Sequence, residues 1–153
     1  MTSRGKGARP NLTGPSDEIS YARRLGIRVR TKLKLVEHID AGFSYHAFER
    51  LQEALGLNAH ELGALLGISP RTLSRRKAEG RLRPDESDHL LRVSRLLDRA
   101  VALFENDEVA ARRWLTRPNR GLGGRTPLEF SRTEVGAREV EVLIGRLEYG
   151  LVA

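Results

Sequence analysis

In "LGISPRTLSRRKAEGRL", residues 66 to 82, five cations crowd around one acid: Arg71, Arg75, Arg76, Lys77 and Arg81 beside Glu79. Guanidinium groups carry a rigid donor fork that matches phosphate oxygens and the guanine edge, and an ammonium group serves phosphate as a point charge. The chemistry these residues offer is recognition of a polyanion. The plainer reading is a solvated basic helix packed on its neighbours through Leu73. Gly67 closes an apolar stretch, Ser69 can cap a new helix, and Pro70 suits the first helical position, where its missing N–H costs nothing. Helix, tight turn through Gly67 and Ile68, then helix is a helix-turn-helix. On the second helix Leu73 faces inward, while Arg71, Thr72 and Arg75 lie opposite, flanked by Ser74 and Ala78. Arg76 and Lys77 fall nearer the buried edge, where long stems pack and charges still reach phosphates. The candidate DNA contacts are Arg71, Thr72, Ser74, Arg75, Lys77 and Arg81, with the N-terminal residues on base edges and Arg81 on the backbone.

No other constellation offers catalysis. His38, His46, His60 and His89 lack the paired spacing with carboxylates that a metal site needs. The glycine loop at Gly121, Gly123 and Gly124 has no preceding strand and no Gly-Lys-Ser/Thr, so a phosphate-binding P-loop is excluded. Serines stand in caps, with no nucleophile elbow around them. The chain has no cysteine, which removes disulfides, thiol catalysis and cysteine-bound zinc and fits a reducing cytoplasm. The expectation is a binding protein without cofactor or metal, and no enzyme.

The elements that must position these residues are helical. The 153 residues are 39% hydrophobic and 31% charged, enough for one ordinary domain or two small ones. Lys+Arg 27 against Asp+Glu 20 gives a net charge of +7, which favours a polyanionic partner. No apolar run approaches a membrane span, and "MTSRGKGARPNLTGPS" lacks the apolar segment of a secretion signal; it reads as a flexible basic arm. Ser16 with Asp17 and Glu18 suggests a helix start, and Gly26 its end. "IRVRTKLKL" alternates apolar and basic residues, the period of a short strand, yet nothing later in the chain offers a partner. Phe48, Leu51 and Leu55 recur at helical spacing up to Gly56, and Asn58 with Glu61 forms a capping box ahead of Leu62, Leu65 and Leu66. After Pro84 a long helix runs to about Phe104 with Leu90, Val93, Leu97, Val101 and Phe104 in one stripe, either core or dimer seam. Another runs from Asp107 to before Pro118, with Trp114 as a packing anchor. Thr126-Pro127-Leu128-Glu129 is a second capping box, and a last helix from about Thr133 to Tyr149 carries Val140, Ile144 and Leu147.

From about residue 35 onward the chain resembles the Xre-type antitoxins of RES–Xre toxin–antitoxin modules, the Xre/MbcA/ParS group. The resemblance lies in "LGISPRTLSRRKAEGRLRPDESD", "ALFENDEVAARRWLTRPNRGLGGRTPLEF" and "VEVLIGRLEYGLVA", in that order. The residues themselves make the chain mainly α with a flexible arm over 1–15; the resemblance divides the rest into a helical domain with the helix-turn-helix over 16–83 and a helical toxin-binding and dimerisation domain over 84–153. It further implies an antitoxin that inhibits a cognate RES-domain toxin and binds operator DNA to repress its own operon, as a homodimer within a larger toxin–antitoxin complex, in the cytoplasm and away from membranes. RES toxins resemble ADP-ribosyltransferases that act on NAD, so the NAD belongs to the partner. The toxin-facing positions implied are Gly123, Gly124 and Arg125 of the loop, and Tyr149, Gly150, Leu151, Val152 and Ala153 at the C-terminal end. The rival readings are a helix-turn-helix regulator without a toxin partner, an enzyme acting on nucleic acid, and a purely structural basic protein.

Overall fold

Residues 27–35 show how local chemistry overrides a pattern. In the computed structural model, which describes residues 17–150, no strand forms there. Thr31 turns extended (φ −125°, ψ 149°) and its hydroxyl accepts the Lys34 N–H, starting helix α2, Lys32–Ala41. A lone strand would leave its backbone groups unpaired, whereas the helix pairs them within the segment. The alternation breaks at the cap: Val29 and Leu35 are buried, but Leu33 is 70% exposed. Helix α1, Ser20–Arg23, begins after Ile19 with no side-chain cap; the start expected at Ser16 falls outside the described residues.

The following helices open and close where their caps dictate. They are α3 (Tyr45–Leu55), α4 (Ala59–Leu65), α5 (Pro70–Glu79), α6 (Pro84–Leu103), α7 (Glu108–Thr116), a 3-10 turn at Arg120–Leu122, α8 (Pro127–Phe130) and α9 (Glu134–Glu148). Among the described residues the sole β pairing is an isolated bridge between Ser44 and Arg81. No helix among them is long and apolar enough to cross a membrane.

Helix α6 is the common wall. It packs against α1, α2 and α3 and also against α7 and α9. Its Leu90, Val93, Leu97 and Val101 are all buried inside the chain, so the stripe is core and is not free to serve as a dimer seam. Phe104, half-buried, meets Trp114 with ring centroids 6.5 Å apart. Phe48, Leu51, Leu62, Leu115, Val140 and Ile144 fill the interior with at most 1% exposure; each such side chain contributes about 1.5–3 kcal/mol of burial. Two serines of α6 are buried with partners: the Ser94 hydroxyl donates to the Tyr21 carbonyl at 2.7 Å, and the Ser87 hydroxyl donates to Arg83 O at 2.8 Å.

A second set of bonds ties the end of α5 to the start of α3. The Leu82 N–H donates to Phe43 O at 2.8 Å and the Tyr45 N–H to Gly80 O at 3.0 Å. Ser87 Oγ accepts the Phe43 N–H at 2.8 Å. Gly42, at φ +81°, lets the two segments close, because a Cβ there would overlap the Leu82 carbonyl oxygen.

Candidate nucleic-acid interface and partner surface

The helix-turn-helix is built from caps outward. Asn58 and Glu61 form the reciprocal capping box that starts α4, and Gly67 at φ +68° turns the chain after it. Ser69 caps α5 by accepting the Thr72 N–H at 3.2 Å, with Pro70 in the first turn. Leu73 is buried beneath α5, and Gly63 of α4 lies close enough that a Cβ would touch it at 3.4 Å. The missing side chain at Gly63 leaves room for Leu73 where the two helices meet.

Of the residues expected on DNA, Arg71, Ser74, Arg75 and Lys77 are exposed on α5. Arg71, Arg75 and Lys77 have no acidic partner among the described residues. Thr72 is half-buried, and its Oγ1 accepts a hydrogen bond from the Ser69 hydroxyl at 3.1 Å. Arg81 is exposed but already employed: its Nη1 donates to Ala41 O at 2.9 Å and Gly42 O at 3.1 Å, joining the end of α2 to the end of α5.

Arg76 departs from the expectation of a charge reaching phosphate. It is only 5% exposed, and its Nε donates to Glu86 Oε1 at 2.7 Å. The same carboxylate oxygen accepts the Arg83 N–H at 2.8 Å, so one acid caps α6 and holds α5. The hydrogen bond to Glu86 raises the Arg76 pKa above its already high ordinary value, against the opposing effect of burial. Its spacing of three from Leu73 is the signal that Arg76 shares the inward face.

His89 of α6, set aside in the sequence only as lacking the spacing of a metal ligand, has a partly buried environment that the sequence does not reveal. It faces the Leu66 carbonyl at the end of α4, and its Nε2 is buried without a hydrogen-bond partner. Burial holds its pKa below the ordinary histidine value, and the nearby Arg92 pushes it the same way. Among the described residues no group of histidines and carboxylates is arranged to hold a metal ion.

At the other end of the chain the loop before α8 is folded on itself. The Asn119 N–H donates to Arg125 O at 3.0 Å, the Gly124 N–H returns to Asn119 O at 3.0 Å, and Asn119 Oδ1 accepts the Gly121 N–H at 2.9 Å. Gly123, Gly124 and Arg125 are exposed at its tip, and Leu122 anchors it in the core. The Thr126–Glu129 box then starts α8. Helix α9 lies along α6, with Arg95 Nε 3.3 Å from Glu141 Oε1, and ends with Tyr149 83% exposed and Gly150 at φ +67°. Leu151, Val152 and Ala153 lie outside the described residues. The loop and the α9 end are thus both presented outward, as separate features.

Residues 34–95 match the family model of the antitoxin Xre-like helix-turn-helix domain, and residues 99–150 match that of the antitoxin Xre/MbcA/ParS C-terminal toxin-binding domain. The chain is 38% identical over 130 residues to a protein of Yersinia enterocolitica named antitoxin Xre, covering 84% of this chain and 88% of that one. It is 36% identical over 116 residues to an antitoxin Xre of Photorhabdus laumondii, covering 75% and 78%. A third antitoxin Xre, from Pseudomonas putida, is 35% identical over 84 residues, 54% of this chain and 52% of its own.

Proposed function

The chain belongs to the Xre antitoxin family, with a helix-turn-helix domain followed by a toxin-binding domain, and from that premise we propose that it neutralises a RES-domain toxin and represses its own operon. It acts by binding, not by catalysis, and does so in the cytoplasm. Residues 16–83 serve DNA and residues 84–153 serve the toxin and dimerisation.

One observation carries the DNA half of this reading: α5 presents Arg71, Arg75 and Lys77 outward without acidic partners, on a helix fixed by Leu73 and the Arg76–Glu86 pair. Cations held out on a rigid element are suited to bases and phosphates. Two copies related by a two-fold axis would set two such helices one DNA turn apart. With the α6 stripe buried, the dimer seam falls to the outer surface of α9, where Val135 and Val142 are exposed. The toxin half rests on the family match and on the outward loop tip at Gly123, Gly124 and Arg125 with the exposed Tyr149 and Gly150. RES toxins consume NAD, so inhibition consists of blocking the partner's cleft.

Co-expression with the product of the adjacent reading frame tests the whole reading. A RES-domain neighbour that arrests growth alone, copurifies with this chain and is silenced by it supports the antitoxin. A gel shift on DNA upstream of the operon, with no neighbour that needs neutralising, would leave a regulator without a toxin partner.

A further inference from the structure

From Ile19 to Val36 the chain carries six Arg and Lys residues and no Asp or Glu. Two of the six are held by acids: Arg24 pairs with Asp98 at 3.0 Å and Glu108 at 3.2 Å, and Lys34 with Glu37 at 3.1 Å. Arg28, Arg30 and Lys32 are exposed and have no acidic partner among the described residues. They alternate along the segment that leads into α2, on a backbone held from inside: Val29 is buried and its carbonyl accepts the Ile19 N–H at 2.9 Å. The charges are therefore displayed from a fixed backbone. They also oppose local preference, since α2 opens on cations with no acid in its first turn, where the helix dipole favours anions. Charge kept against local stability points to a use elsewhere.

We propose that Arg28, Arg30 and Lys32 form a second DNA-backbone contact, flanking the site read by α5. The proposal rests on the DNA reading above and extends it beyond the helix-turn-helix match, which begins only at residue 34. Helix α2 is the strut. Its last carbonyls, of Ala41 and Gly42, are gripped by Arg81 directly after α5, and its ten residues place the cations about 15 Å away at its other end. A turn of duplex is roughly 34 Å long, so phosphates flanking the α5 site are within the span of this unit. A surface of cations with no specific acceptor geometry supplies affinity and salt dependence without sequence preference.

The test uses the full chain and a 40-base-pair duplex that the intact protein selects from a random pool, with affinity measured by fluorescence anisotropy across salt concentrations. The triple variant Arg28→Ala, Arg30→Ala, Lys32→Ala should lower the slope of log affinity against log salt by about two to three and leave the preference for the selected sequence unchanged. Trimming the duplex to the α5 site should erase the difference between variant and wild type. Lys32→Glu separates folding from binding: an acid at the start of α2 should leave the melting temperature equal or higher while DNA affinity falls. An unchanged salt slope of the triple variant on the long duplex overturns the proposal, as does an equal loss on the trimmed one. Arg71→Ala with Arg75→Ala, run beside it, reports on the α5 reading separately. If that pair loses sequence preference while the triple variant is silent, only the flanking contact fails. Loss of binding to anionic vesicles, with DNA binding intact, would reassign the patch to a membrane surface and overturn it too.

Discussion

Alanine at position 76 would leave Glu86 buried beside an empty space, with its nearest cation gone, and breaking such a pair costs about 3–5 kcal/mol. Alanine at Arg75, exposed one residue earlier, should leave stability within about 0.5 kcal/mol. If its guanidinium meets a base edge, it should weaken sequence-specific DNA binding by roughly 1–3 kcal/mol. Urea melts and anisotropy on the two variants check both. A second prediction concerns His89. Its folded pKa is depressed, so the unfolded chain takes up its proton first as pH falls. The stability it contributes is full above the unfolded histidine value and is lost as pH drops through the folded one. Wild type should lose more stability between pH 7.5 and pH 5 than His89→Leu, with the difference read from urea midpoints; equal losses would refute it. The exposure of Arg71, Ser74 and Arg75 was legible because their spacing from Leu73 fixes their side of the helix; Lys77, four residues from Leu73 and expected nearer the buried edge, is exposed as well. The settings of Arg76 and His89 were not legible, because their partners, Glu86 and the Leu66 carbonyl, come from packing between elements.

Caps were the most readable elements. Asn58 with Glu61, Ser69 with Thr72 and Thr126 with Glu129 each bond as their residue types require, since these are contacts within four residues. Ser69→Ala should cost about 1 kcal/mol and loosen the start of α5, lowering DNA affinity along with the melting temperature. The start of α2 is ambiguous in the sequence because period two and a helix start share the same letters over nine residues. Thr31 decided between them with one hydrogen bond, and packing of α2 on α6 did the rest. A close approach at Gly136 was equally invisible. It stands in the first turn of α9, and a Cβ there would overlap the Phe130 carbonyl oxygen. Gly136→Ala must therefore shift α8 against α9, with a cost of roughly 1–3 kcal/mol, and should weaken toxin inhibition more than DNA binding. Parallel assays of NAD consumption by the proposed RES toxin and of gel shift would show it.

At the scale of the molecule, deletion of residues 149–153 should leave folding and DNA binding intact, because Tyr149 is 83% exposed and supports no core. The same deletion should reduce protection against the toxin, measured as NAD consumption; full inhibition by the shortened chain would show that the end of α9 plays no part. The two family matches meet at residues 95 and 99, both inside α6, with no linker between them. Leu96, Leu97, Ala100 and Val101 are buried on the second half of that helix, which packs against both α7 and α9, so loss of those helices would uncover part of its apolar surface. Circular dichroism and Trp114 fluorescence should therefore report one coincident unfolding transition. A protease that cuts near Asn106 should leave no working DNA-binding fragment, only one with an open apolar flank, fit for aggregation or further digestion. On the proposed function, repression and neutralisation would then share a single lifetime, and whatever clears one from the cell would clear the other.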